Sequence, residues 1–97
     1  MYRIYLLIFI LFGCSSTLPD ESLSLAEHLK LGMDYLDEEE FVKAQDEFKF
    51  VLSRGTGTDY GDDAQFFLAE SYFLNKQYML SIAEYESLTR KMSFSPF

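Results

Sequence analysis

The chain has 97 residues, a formal net charge of −8 at pH 7, one cysteine and one histidine. A lone cysteine cannot form an internal disulfide, one Cys and one His do not make a metal-ligand set, and an acidic balance has the wrong sign for phosphate backbones. Aromatic residues are 18% of the chain, with ten Phe and seven Tyr, which is too hydrophobic for a disordered polypeptide and requires that those rings be buried or used.

The N-terminus reads as a targeting segment. Arg3 precedes an apolar run over residues 4–12, followed by the small residue Gly13 and then Cys14, the order of a secretory signal. The run is shorter than the roughly 20 residues a membrane span needs. Leu11-Phe12-Gly13-Cys14 resembles a bacterial lipobox, with an aliphatic residue three before the Cys and a small one directly before it; the bulky Phe12 departs from the usual pattern. The resemblance implies cleavage after residue 13 and acylation of Cys14, so the only attached group expected is the covalent lipid on Cys14, with no cofactor. Several acyl chains anchor a protein stably where one does not. Ser15 stands where an Asp would retain such a protein at the inner membrane, so the resemblance implies the outer membrane, periplasmic face. A conventional signal cut elsewhere and an uncleaved apolar anchor remain the alternatives.

Residues 14–23 form the lipidated end and a polar tether, SSTLPDES, in which Pro19 and the serines discourage regular structure. Ser24 with Glu27 is a capping-box pair, and Leu25, Leu29, Leu31, Tyr35 and Leu36 recur at helical spacing after it. The acidic break DEEE precedes a second helix carrying Phe41, Ala44, Phe48, Val51 and Leu52 and closed by Arg54 and Gly55. After the loop GTGTDYG, Asp62 is expected to cap a third helix through AQFFLAESYFL. Asn75 and Lys76 break it, and a fourth helix carries Tyr78, Ser81, Tyr85 and Leu88 before Arg90, Lys91 and Pro96.

The two helix pairs align at a spacing of 37 residues: Leu31-Gly32 on Leu68-Ala69, Tyr35 on Tyr72, Phe41 on Tyr78, Ala44 on Ser81, Phe48 on Tyr85 and Val51 on Leu88. Leu-Gly, then Tyr, Ala and Phe on a helix–turn–helix of about 34 residues resembles the tetratricopeptide repeat. The fold class expected is therefore all-α, a fragment of an α-solenoid built from two such repeats and four helices, over about residues 24–58 and 62–95. His28 stands where the motif carries Trp or Leu and reads as a buried packing residue, since no nucleophile is in register with it. Thr56 stands where the motif has its closing Pro. DEEE and GDD lack calcium-loop spacing and read as helix caps. With no nucleophile–base pair, phosphate loop or paired carboxylates, the chain does not read as an enzyme.

The lipobox, the tether and repeats with an extended connecting loop together resemble the BamD family (also called YfiO or ComL) of outer-membrane assembly lipoproteins. The likeness is best in FVKAQDEFKFVL, DYGDDAQFFLAESYF and QYMLSIAEYESLTRKMSFSP. It implies a scaffold of the β-barrel assembly machinery, with an Omp85-type barrel subunit and unfolded outer-membrane protein segments as partners, the membrane reached through the lipid, and no nucleic acid. Members carry several more repeats, so the chain, which stops at Ser95-Pro96-Phe97, is expected to be the N-terminal part of a longer protein. The alternative is another periplasmic repeat lipoprotein serving envelope division or secretion. In this repeat class the first helix of each pair lines a groove, which places Leu29, Met33 and Leu36 of repeat one and Phe66, Glu70 and Phe73 of repeat two along it. The competing reading of Phe66 and Phe73 is packing against a further repeat or against the uncovered Phe67 and Leu74.

Overall fold

The computed structural model describes residues 23–93. The apolar run, Cys14 and most of the tether lie outside the described residues. Four helices follow one another: α1 Leu25–Asp37, α2 Phe41–Arg54, α3 Asp59–Leu74 and α4 Tyr78–Ser93. Each packs against the next, and α1 also touches α3, so the described chain is an all-helical stack of two tetratricopeptide-like hairpins. Among the described residues no helix is long and apolar enough to cross a membrane.

Helix α1 starts on the expected capping box. The Ser24 hydroxyl accepts from the Glu27 amide at 3.1 Å, and Glu27 Oε1 accepts from the Ser24 amide at 3.2 Å. The DEEE break does not act as the expected cap: Glu40 precedes α2 without a side-chain bond to the helix, and α2 has no acid in its first turn. Its role is backbone geometry. Glu39 is left-handed (φ 60°), with its amide on Leu36 O at 3.1 Å and the Glu40 amide on Tyr35 O at 2.9 Å. That pattern is a Schellman turn with Glu where glycine is favoured. Thirty-seven residues on, Lys76 repeats it (φ 63°), with bonds Lys76 N to Phe73 O at 3.0 Å and Gln77 N to Tyr72 O at 2.8 Å. The internal repeat therefore extends to the hydrogen bonds of the turn.

The link between hairpins is shorter than GTGTDYG suggests, and α3 begins at Asp59 under Thr58, not under Asp62. The Thr58 hydroxyl accepts from the Gly61 amide at 3.3 Å, and the Thr58 amide reaches Gly55 O at 3.0 Å. Gly61 then lies on the Gly55 carbonyl so closely that a Cβ there would stand 2.3 Å from its oxygen. Glycine permits the tight approach that starts the helix early, and Asp62 becomes a first-turn residue whose charge suits the helix dipole. Thr56, in place of the closing Pro, donates its hydroxyl to Leu52 O at 2.8 Å and so satisfies one of the last carbonyls of α2.

Ala44, Phe48, Val51, Ala64, Leu68 and Tyr72 form the buried core, with Leu29, Tyr35, Leu36, Leu52 and Phe67 packed against it. Small residues stand at the crossings. A Cβ on Gly32 would fall 2.6 Å from Cε1 of the fully buried Phe48. At the matching crossing the Ser81 hydroxyl donates to the backbone carbonyl of Ala69 at 2.9 Å. Phe48 stacks on Phe67 across the hairpin junction, with centroids 5.8 Å apart.

Gly32→Ala gains about 1 kcal/mol of helix propensity but forces a methyl into the Phe48 ring, an overpacking cost of roughly 1–3 kcal/mol. We expect a net loss near 1 kcal/mol by urea denaturation. Adding Phe48→Leu, which vacates the contact, should make the Gly32→Ala step less unfavourable than it is in the wild-type background.

Candidate binding face

Two arrangements stand out, a polar crosslink repeated at matching places in the two hairpins and an open row of rings around a carboxylate in the second. In the first, His28 is fully buried, and its Nδ1 meets Glu47 Oε2 at 2.6 Å, tying α1 to α2. The ring of Phe50 lies 4.4 Å from the His28 ring, and the Arg54 guanidinium covers Phe50 at 5.0 Å. His28 Nε2 is buried without a partner. Thirty-seven residues on, Gln65 Nε2 donates to Glu84 Oε2 at 3.1 Å, and Lys91 Nζ donates to Gln65 Oε1 at 2.7 Å. Each hairpin thus has a polar crosslink where the motif usually has a large apolar residue. The packing reading of His28 holds, and the acid it packs with is the part sequence reasoning missed. The signal was present: His28/Glu47 and Gln65/Glu84 each stand 19 residues apart, in register with the repeat.

The open arrangement lies along the seam of α3 and α4. Phe66, Glu70 and Phe73 sit at i, i+4 and i+7, one face of α3. Phe66 is 42% and Phe73 54% exposed, and Glu70 between them is half-buried. Helix α4 supplies a ring to each end. Phe66 meets Tyr85 edge-on at 6.1 Å, and Phe73 meets Tyr78, itself 51% exposed, at 5.4 Å. The Tyr85 hydroxyl donates to Glu70 Oε1, closing the link between the aromatic pair and the carboxylate. Burial, then that hydrogen bond and the Glu70 charge, push the Tyr85 phenol up to about 12.

Of the six groove residues expected from sequence, the three of repeat two come together in this row. In repeat one Leu29 and Leu36 turn partly into the core, and Met33 is 39% exposed. Tyr78 and Tyr85 were not anticipated as part of the face. They occupy the positions of Phe41 and Phe48 in the repeat register, so the exchange of Phe for Tyr was the available signal. Beyond the row, the outer side of α4 holds an open depression of about 460 Å³ lined by Ile82, Tyr85, Glu86, Thr89 and Arg90. Ile82, Tyr85 and Thr89 correspond to Gln45, Phe48 and Leu52 of α2, the helix on which α3 packs. No protein-family model matches the sequence, and a search of curated proteins finds no match.

Two measurements check this geometry. Glu47→Ala leaves His28 buried with neither nitrogen paired, and we expect a loss of about 3 kcal/mol or more. His28→Leu combined with Glu47→Leu should fall within about 1 kcal/mol of wild type by the same urea assay, because an apolar pair replaces a buried polar one. Tyr85 sets the second. An acid whose folded-state value is raised contributes stability present below its unfolded value, here 10.0, and lost as pH rises through the folded value of about 12. The stability difference between wild type and Tyr85→Phe should therefore shrink across that alkaline window, and a constant difference would contradict the raised value of the phenol.

Proposed function

We propose that the chain is a lipid-anchored periplasmic scaffold of the outer-membrane β-barrel assembly machinery, of the BamD kind, that holds unfolded outer-membrane protein segments beside an Omp85-type barrel subunit. The observation that carries the binding part is the α3/α4 row, where Phe66, Phe73 and Tyr78 keep roughly half their surface open although the core nearby is closed. Apolar rings rimmed by polar groups mark binding surfaces more often than idle ones. Met33, at the position of α1 that corresponds to Glu70 in the repeat register, is exposed, unbranched and able to adapt to varied ligands. The lipobox-like residues 11–14 and the two-hairpin fold support the anchored-scaffold part.

The test has two arms. Expressed in a Gram-negative host, the protein should incorporate labelled palmitate and fractionate with the outer membrane, and Cys14→Ser should do neither. Soluble, unlabelled wild-type protein would overturn the anchor. In the second arm a fluorescent peptide copying the C-terminal strand of an outer-membrane barrel, ending in Phe, is titrated into the protein. A buried aromatic anchor contributes roughly 1.5–3 kcal/mol, so Phe66→Ala with Phe73→Ala should weaken binding at least about tenfold with unchanged circular dichroism. Unchanged affinity would assign the rings to packing.

A further inference from the structure

We infer that Glu70 is the receptor for an arginine or lysine side chain of the bound segment, so that the α3/α4 row selects extended peptides with a basic residue flanked on the same side by apolar ones. This rests on the reading of the row as a peptide-binding face and adds to it what the ligand must carry.

Glu70 is the one ionisable side chain among Phe66, Glu70 and Phe73 on that face of α3, and exposed rings flank it one helical turn away on either side. An acid in such surroundings weakens the binding of an apolar segment, because an apolar side chain laid over it strips water from a charge and returns nothing. A cation reverses that sign. It meets the carboxylate directly and can lie against ring faces on either side, where arginine in particular stacks well. The chain already uses this contact elsewhere: Lys43 lies over Tyr35 and Lys49 over Tyr72, at 5.8 and 5.9 Å.

Next is how the carboxylate is held. The Tyr85 hydroxyl donates to Oε1. A carboxylate has about four acceptor positions, so this bond fixes the group's orientation and leaves capacity for an incoming guanidinium or ammonium. Tyr85 also stands edge-on to Phe66, so one side chain positions both the charge and its neighbouring ring.

Phe66 and Phe73 are separated by about 10.5 Å along the helix axis, at about 1.5 Å per residue. Residues i−2 and i+2 of an extended segment are about 13–14 Å apart and point the same way. The two spacings are of similar size, so a segment laid along the row sets a basic residue i near Glu70 and residues i−2 and i+2 near the rings. The net charge of −8 draws such a segment in and disfavours acidic ones.

The experiment uses the 97-residue chain in mild detergent and three labelled peptides of sequence Ser-Leu-Ser-X-Ser-Leu-Ser, blocked at both ends, with X as arginine, its neutral isostere citrulline, or glutamate. The arginine peptide should bind roughly tenfold more tightly than the citrulline peptide, the scale of a charge-assisted hydrogen bond. The glutamate peptide should bind most weakly. Glu70→Gln should abolish the arginine preference by weakening the arginine peptide far more than the citrulline peptide, Tyr85→Phe should reduce the preference, and added salt should erode it. Equal binding of arginine and citrulline peptides, or equal losses of both in Glu70→Gln, would overturn the inference and leave the apolar face standing. Loss of both peptides in Phe66→Ala with Phe73→Ala identifies the face itself. Failure of every peptide to bind wild type would overturn the face and this inference together.

Discussion

Two helices of a hairpin can share a core in this small chain only if their backbones come close, and the contact of Phe48 with Gly32 sets that distance. Because no Cβ stands on residue 32, the Phe48 ring lies directly against α1 and is removed entirely from solvent. From there its other side stacks on Phe67 of the next hairpin, so one ring joins three helices. The same closeness at the Ser81–Ala69 crossing is secured by a hydrogen bond to backbone in place of a ring. Tyr85, which takes the place of Phe48 in the second hairpin, is only half-buried and uses its hydroxyl to hold Glu70. One repeat position thus makes core in the first hairpin and surface in the second.

The polar crosslinks follow the same logic. His28–Glu47 and Gln65–Glu84 occupy equivalent sites but are completed differently. Lys91 satisfies the Gln65 carbonyl, while Arg54, its counterpart in the repeat register, covers Phe50 and with it the far side of His28. A hairpin that slipped by one helical turn would strand a buried acid away from its partner, a penalty that apolar packing alone does not impose. The crosslinks therefore specify register, and the apolar core supplies most of the driving force.

Much of the fold was legible because the 37-residue repeat shows twice. Leu31, Gly32, Tyr35, Ala44 and Phe48 name the crossings by size, and Ser24 with Glu27 names the first cap. What escaped depends on backbone geometry that side-chain chemistry does not advertise. Glu39 and Lys76 adopt left-handed conformations without being glycine, and α3 starts early because Gly61 fits against a carbonyl. The acidic runs looked like caps because negative charge suits a helix N-terminus, yet of DEEE and GDD only Asp62 stands in a first turn. For the candidate face, the period placed Phe66, Glu70 and Phe73 together. Tyr78 and Tyr85 escaped because they lie on the other helix, and pairing across a seam needs the hairpin to be closed first. Leu29 and Leu36 share the helical face of Met33 but are partly buried against the core, where α1 packs on α2 and α3.

The exposed rings have a consequence for the protein at high concentration. Two copies that meet ring to ring would cover apolar surface at each other's expense, the route by which small open proteins become sticky. A charge of −8 on a chain this short opposes that encounter before contact is made. Repulsion between copies is long-ranged and attraction between rings is short-ranged, so at moderate ionic strength the balance is colloidal: like molecules are kept apart while a ligand of opposite charge is not. The acidic composition thereby opposes self-association through the exposed rings.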